Sequence, residues 1–285
     1  MKRAILNEVL SGKPDVPLYH YTRQSGLLGI IGKTEIWATH TQYLNDRREY
    51  LHALDLVHEE IDTLLSTADQ EGRSILGDMK NGLSGIEGIN VCVCSFSEER
   101  DSLSQWRAYA AGSSGFAIGF PGDFLAEIAK RENWYLARCI YEPAQQQLLI
   151  RALVAEVFEE NVHRRNTNAA GEDPLPLGGS LCAYLHRYAP ILKHPCFHEE
   201  REWRIISRPL MCGSARFDFR EGSSVLIPYY KLPLIDQEQP LRVREVVVGP
   251  TPNQQQSTAS VRGLLVRHGL GKVPVELSKV PYRNW

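Results

Sequence analysis

Apolar and polar positions alternate over residues 16–22 and again over 35–39, the period of two that a half-buried strand shows. Between them, residues 25–31 repeat apolar side chains at helical spacing, and Gly32 offers a stop. The chain then turns at Asn45 and Asp46. Asp46 with Glu49 three residues later predicts a capping box, and Leu51, Leu54, Val57 and Ile61 form the stripe of the helix that follows. Residues 66–88 are polar and contain glycine, which fits a further helix and a loop.

Alternation resumes over 89–96. A polar loop over 97–101, a short helix over 102–110, a glycine turn over 112–115 and a strand over 115–120 follow. Residues 137–141 predict a strand and 143–165 a long helix, with Leu149, Leu153, Val157 and Phe158 on one side. After a loop rich in Gly, Pro and Asn, residues 181–193 have a helical pattern that Pro190 breaks. Strands are predicted within 200–208, 223–230 and 243–250, and a helix over 254–268. Helices inserted between strands, with no repeat and no linker between self-sufficient cores, predict one α+β domain over residues 1–285 with a mixed, mostly antiparallel sheet. Residues 1–15 are expected to be a flexible or peripheral N-terminal segment, and 143–195 a helical insertion.

Composition narrows the function. With 285 residues, 43% apolar and 23% charged, the chain can bury a sizeable core, so a disordered protein is excluded. A net charge of −2 argues against a surface devoted to nucleic acid, though not against a local basic cleft. No apolar run approaches the roughly 18 residues of a membrane span, and the first apolar run is too short for a secretory core. A cytoplasmic protein of a prokaryote-like cell, with free thiols and no membrane partner, is expected. Cys92 and Cys94 alternate in an apolar strand, as buried thiols do. The run HPCFH holds His194, Cys196 and His198, but it has no matching second pair at conventional spacing, so no metal is expected there.

Three segments carry candidate chemistry. In YHYT, the His20 imidazole and the Thr22 hydroxyl share one strand face about 7 Å apart, a span that reaches two hydroxyls of one sugar; the competing role for His20 is a core histidine bonded to a carbonyl. In SFSEERDSLSQWRAY, Trp106 and Tyr109 lie three apart on a helix with Arg107 beside them, an aromatic wall and a cation suited to a base, a nicotinamide or a phosphate, or simply core. In EEREWRIIS, Glu202 enters an apolar strand, where it needs either an ion pair with Arg204 or Arg107, or a ligand. No P-loop, GxGxxG, GxSxG or HExxH occurs.

In order, YHYT, EIWAT, YLND, CSFSE, WRAY, GFAIGF, FHEEREWR, VVVGP and VPYR resemble a bacterial family known as domain of unknown function 2971, over nearly the whole chain. More distantly, the sequence is similar to ADP-ribosyltransferases of the diphtheria toxin and poly(ADP-ribose) polymerase type. They carry a His-x-Thr or His-x-Ser strand, then an aromatic-bearing loop and helix before a strand, then a Glu opening another strand. His20 and Thr22, Tyr109 or Trp106, and Glu202 match in that order, while Tyr21 stands where the related strand has Gly.

That resemblance implies an ADP-ribosyltransferase-like fold and cleavage of the nicotinamide–ribose bond of NAD, with NAD as substrate. His20, Tyr21 and Thr22 would line the ribose and carboxamide side. Tyr109 or Trp106 would stack on nicotinamide, and Glu202 would steady the oxocarbenium-like cation. Arg107, Arg204 or Arg47 would pair with the pyrophosphate. A macromolecular acceptor, protein or nucleic acid, an inhibitory partner protein, and a toxin or phage-defence setting are further implications. Two alternatives stay open: a catalytically silent module that senses a nucleotide or nucleic-acid end, and a partner-binding protein whose His20, Trp106 and Glu202 are scattered.

Overall fold

The structure is a computed structural model, and it describes residues 2–44, 48–83, 89–109, 115–167, 179–237 and 240–282. Ten strands form one sheet: β1 (Leu18–Arg23), β2 (Glu35–His40), β3 (Cys92–Ser97), β4 (Gly115–Phe120), β5 (Tyr135–Arg138), β6 (Glu202–Ile206), β7 (Phe217–Glu221), β8 (Leu226–Pro233), β9 (Glu245–Val248) and β10 (Val275–Leu277). Their order is β10-β9-β4-β1-β3-β2-β8-β7, with β6 on β3 and β5 on β6. Every pairing is antiparallel except β10 with β9, so the protein is α+β with a mixed, mostly antiparallel sheet.

Nine helices are described: α1 (Lys2–Val9), α2 (Gln24–Lys33), α3 (Arg48–Thr67), α4 (Gln70–Gly82), α5 (Leu103–Tyr109), α6 (Gly122–Arg131), α7 (Pro143–Asn166), α8 (Gly179–Tyr188) and α9 (Gln254–Arg267). All but α5, whose Trp106 packs with Tyr19, Tyr21, Ala117 and Val247, divide between two larger cores. Leu27, Ile30 and Ile31 of α2, Phe124, Leu125 and Ile128 of α6, and Val261 and Leu265 of α9 pack with Cys94, Phe96, Trp203 and Ile205. Leu6 of α1, Val57 and Ile61 of α3, Met79 of α4, Leu149 and Leu153 of α7 and Leu185 of α8 pack with Val93 and Ile206. The alternation of β3 and β6 feeds both: odd positions of one strand and even positions of the other share a face, because Val93 pairs with Ile206, Ser95 with Arg204 and Ser97 with Glu202.

Several elements depart from the sequence pattern. Residues 2–9 of the N-terminal segment form α1, with Leu6 buried at 3% exposure. Gly32 lies inside α2, and Thr34 takes the left-handed cap conformation (φ 55°), donating its N–H to Ile30 O. β5 falls at Tyr135–Arg138 instead of 137–141, because Tyr135 and Leu136 already pair with Ile206 and Ile205 and the ladder ends at Arg138 with Trp203. The proposed capping pair, Asp46 with Glu49, and the turn over 112–115 lie wholly or mainly outside the described residues. No helix among the described residues is long and apolar enough to cross a membrane.

Candidate functional site

The site forms where the sheet splits. β1 meets β3 at Tyr19–Ser97, while β2 meets the same strand at Thr39–Val93 and His40–Cys92. Ser95 therefore sits between two ladders, and a side chain serves its carbonyl: His20 Nδ1 lies 2.9 Å from Ser95 O. A carbonyl oxygen only accepts, so Nδ1 carries the proton and Nε2 is left as an acceptor. Burial lowers the His20 pKa against the opposing pull of that carbonyl, which keeps the ring neutral. His20 thus spends Nδ1 on the fold, as a core histidine bonded to a carbonyl does.

A pocket of about 40 Å³ opens at this split, lined by Tyr19, His20, Tyr21, Ser95, Phe96, Ser97, Gln105, Tyr109, Glu200 and Glu202. His20, Tyr109 and Glu202, from β1, α5 and β6, all line this one cavity, although the register Tyr19–Ser97–Glu202 puts Tyr19, and not His20, on the sheet face of Glu202. Glu202 is 5% exposed. Arg204 grips it with both edges, Nε to Oε1 at 2.8 Å and Nη2 to Oε2 at 3.1 Å, and Lys193 Nζ stands 2.5 Å from Oε2. Burial acts to raise the Glu202 pKa, and the Arg204 and Lys193 charges overcome it, holding it at about 2. In neighbouring Glu200 burial prevails over the Lys193 ammonium, and the pKa is raised. Tyr109 is 38% exposed at the end of α5; burial of its hydroxyl, then the two carboxylates, push its pKa up to about 12.

The other candidates are engaged differently. Trp106 is 1% exposed; its Nε1–H donates to Asp101 at 2.7 Å and its ring meets Tyr21 edge-on at 4.7 Å, so it is core. The Tyr21 hydroxyl holds the loop that leads into α5, donating to Glu99 O at 2.7 Å and accepting from the Ser102 N–H at 3.0 Å. Thr22 turns to α2 instead of the pocket: a Cβ at Gly26 would lie 1.8 Å from its Oγ1. Arg107 lies 5.4 Å over the Tyr282 ring, away from the cavity. Arg204 is buried on Glu202 and also donates to Pro190 O at 2.6 Å, and Arg47 lies outside the described residues.

Residues 105–205 match the model of a family described as Protein of unknown function (DUF2971). The match supports that family and covers both the α5 wall of the pocket and the β6 wall with Glu202, while β1 and His20 fall outside it. No curated protein and no solved structure matches.

Lys193, Glu200 and Gln105 line or brace the site without a sequence signal that marks them, because only the fold brings them beside Glu202. The HPCFH run folds into a 3-10 turn over Pro195–Glu200, where the Cys196 N–H donates to His194 Nδ1 and His198 Nδ1 meets Pro195 O. Among the described residues, no cluster of three or more His, Cys, Asp or Glu is placed to hold a metal.

Proposed function

We propose that this pocket binds the nicotinamide riboside end of NAD and cleaves its glycosidic bond, as an ADP-ribosyltransferase-like fold would. The bond from ribose C1′ to the ring nitrogen breaks, its electron pair leaves with neutral nicotinamide, and an acceptor nucleophile bonds to C1′ and releases its proton. The chemistry asks for positioning and negative potential more than for acid–base work. His20 Nε2 accepts from a ribose hydroxyl, the partly exposed Tyr109 stacks on the leaving ring, and Glu202 supplies the anion. The observation that carries this reading is the convergence of His20, Tyr109 and Glu202 on one cavity. At about 40 Å³ that cavity holds a water or two, so this reading requires α5, held to β1 by Trp106 on the Tyr21 ring, to move off β1 when the ligand enters. A nucleotide sensor without turnover is the second reading, favoured by a Glu202 whose two oxygens are already bonded to Arg204 and Lys193.

Labelled NAD with lysate separates the two. Turnover predicts released nicotinamide and label on a macromolecule, lost with Glu202→Gln; a sensor predicts saturable NAD binding with no release, and absence of both refutes the site.

A further inference from the structure

The helical insertion between β5 and β6 ends on Lys193, and the structure shows what it delivers. The Lys193 side chain is buried, with its residue 4% exposed, and its ammonium touches both Glu200 and Glu202 and lies 5.1 Å from the Phe197 ring. Its backbone is fixed from several sides. Lys193 N–H donates to Ile140 O at 3.1 Å, and its carbonyl accepts from Gln146 Nε2 at 2.7 Å. Gln146 also donates to Ile140 O at 2.7 Å, and its Oε1 lies 2.9 Å from His52 Nε2, which must be the donor. Helices α3 and α7 therefore set the position of this lysine.

Arg204 by itself would neutralise Glu202 and satisfy both its oxygens. A second buried cation requires a second carboxylate, and Glu200 supplies it, so two acids and two bases are gathered at one wall of the cavity. We propose that Lys193 is a positioning residue of the pocket: delivered by the insertion, it holds the Glu202 carboxylate in a single orientation at the cavity wall. That this orientation serves a ribose rests on the NAD reading; the clamp itself does not. The groups facing Glu202 are Arg204 on its own strand, Lys193 and Glu200 from the segment before it, Tyr109 from α5, Tyr141 after β5 and Cys94 from β3.

The test is a carbon-13 titration of the side-chain carboxyls, with the Glu202 signal assigned through Glu202→Gln, alongside nicotinamide release from NAD. Wild type should titrate at about 2. Lys193→Gln, close in shape and neutral, should move that midpoint up by at least about one unit, the scale of a lost neighbouring charge. Lys193→Arg should restore most of the shift. In the release assay, kcat should fall about tenfold or more with KM little changed. A wild-type midpoint near the ordinary carboxylate value overturns the clamp without any variant, and so does a Lys193→Gln midpoint equal to wild type. A protein that titrates as expected but releases no nicotinamide sinks the NAD reading and leaves the clamp standing.

Discussion

The two sides of β6 make opposite use of the same strand. On one side, Glu202 and Arg204 join Lys193 and Glu200 around a cavity of about 40 Å³. On the other, Arg201 and Trp203 border a cleft of about 690 Å³ that also meets Arg138, Tyr141 and His198. The cleft is many times larger, yet its charges are ordinary surface pairs: Arg138 to Glu98 at 3.1 Å and Arg201 to Glu99 at 3.0 Å, with both arginine side chains more than half exposed. Exposed pairs of this kind are solvated and contribute little. Buried ones are intolerant of losing a partner. The comparison teaches that volume and buried charge part company on this strand: the dense, mutually satisfied ionisable groups, which favour a functional site, gather at the smaller cavity.

Removing one partner on each side should break the symmetry most. Glu202→Ala takes from buried Arg204 its carboxylate, while Lys193 keeps Glu200, and should cost about 3–5 kcal/mol of stability. Arg138→Ala, on the cleft side, should stay within about 1 kcal/mol. Urea unfolding of both variants checks this, and equal losses would mean that the two sides are energetically alike.

Acid sharpens the comparison with a smaller effect. Glu202 has a folded pKa of about 2 against an ordinary 4.5, so its contribution is complete above pH 4.5 and is lost as pH falls toward 2. In the helical layer, His186 is lowered by burial, and then by the His40 charge, to about 4. Its unfolded form takes the proton first, so its contribution is complete above pH 6.5 and drains away between 6.5 and 4. His20 and His40, both lowered by burial, add to that upper step. Urea midpoints measured against pH should fall in two stages, and Glu202→Gln should shrink the lower one, to which Glu245, lowered by Arg100, also contributes, and leave the upper one in place. A midpoint flat from pH 7 to 4.5 would contradict the histidine assignments.

Much of this arrangement was legible in the amino-acid pattern. Period-two alternation marks β1, β2, β4 and β9, and the three segments bearing His20, Tyr109 and Glu202 stand out by their chemistry. α6 and β7 carry signals as well, Phe124, Leu125 and Ile128 at helical spacing and Phe217 with Phe219 at strand spacing, but neighbouring turn and charge patterns mask them. What pattern cannot convey is approach in space. Thr22 shares a strand face with His20, yet α2 begins at once and folds Gly26 onto it. Trp106 and Tyr109 are equivalent by spacing; the Asp101 carboxylate and the Tyr21 ring decide which is core. Lys193 is one lysine at the end of an apolar run, and only the packing of α3 and α7 reveals what it touches.

The most direct test is a crystal structure with a non-hydrolysable NAD analogue, because the two sides of β6 then compete for one ligand. The account predicts the nicotinamide ring on Tyr109, the ribose between His20 Nε2 and Glu202, and α5 displaced from β1. An analogue seated in the Trp203 cleft, or bound nowhere while α5 stays closed on the pocket, would contradict it.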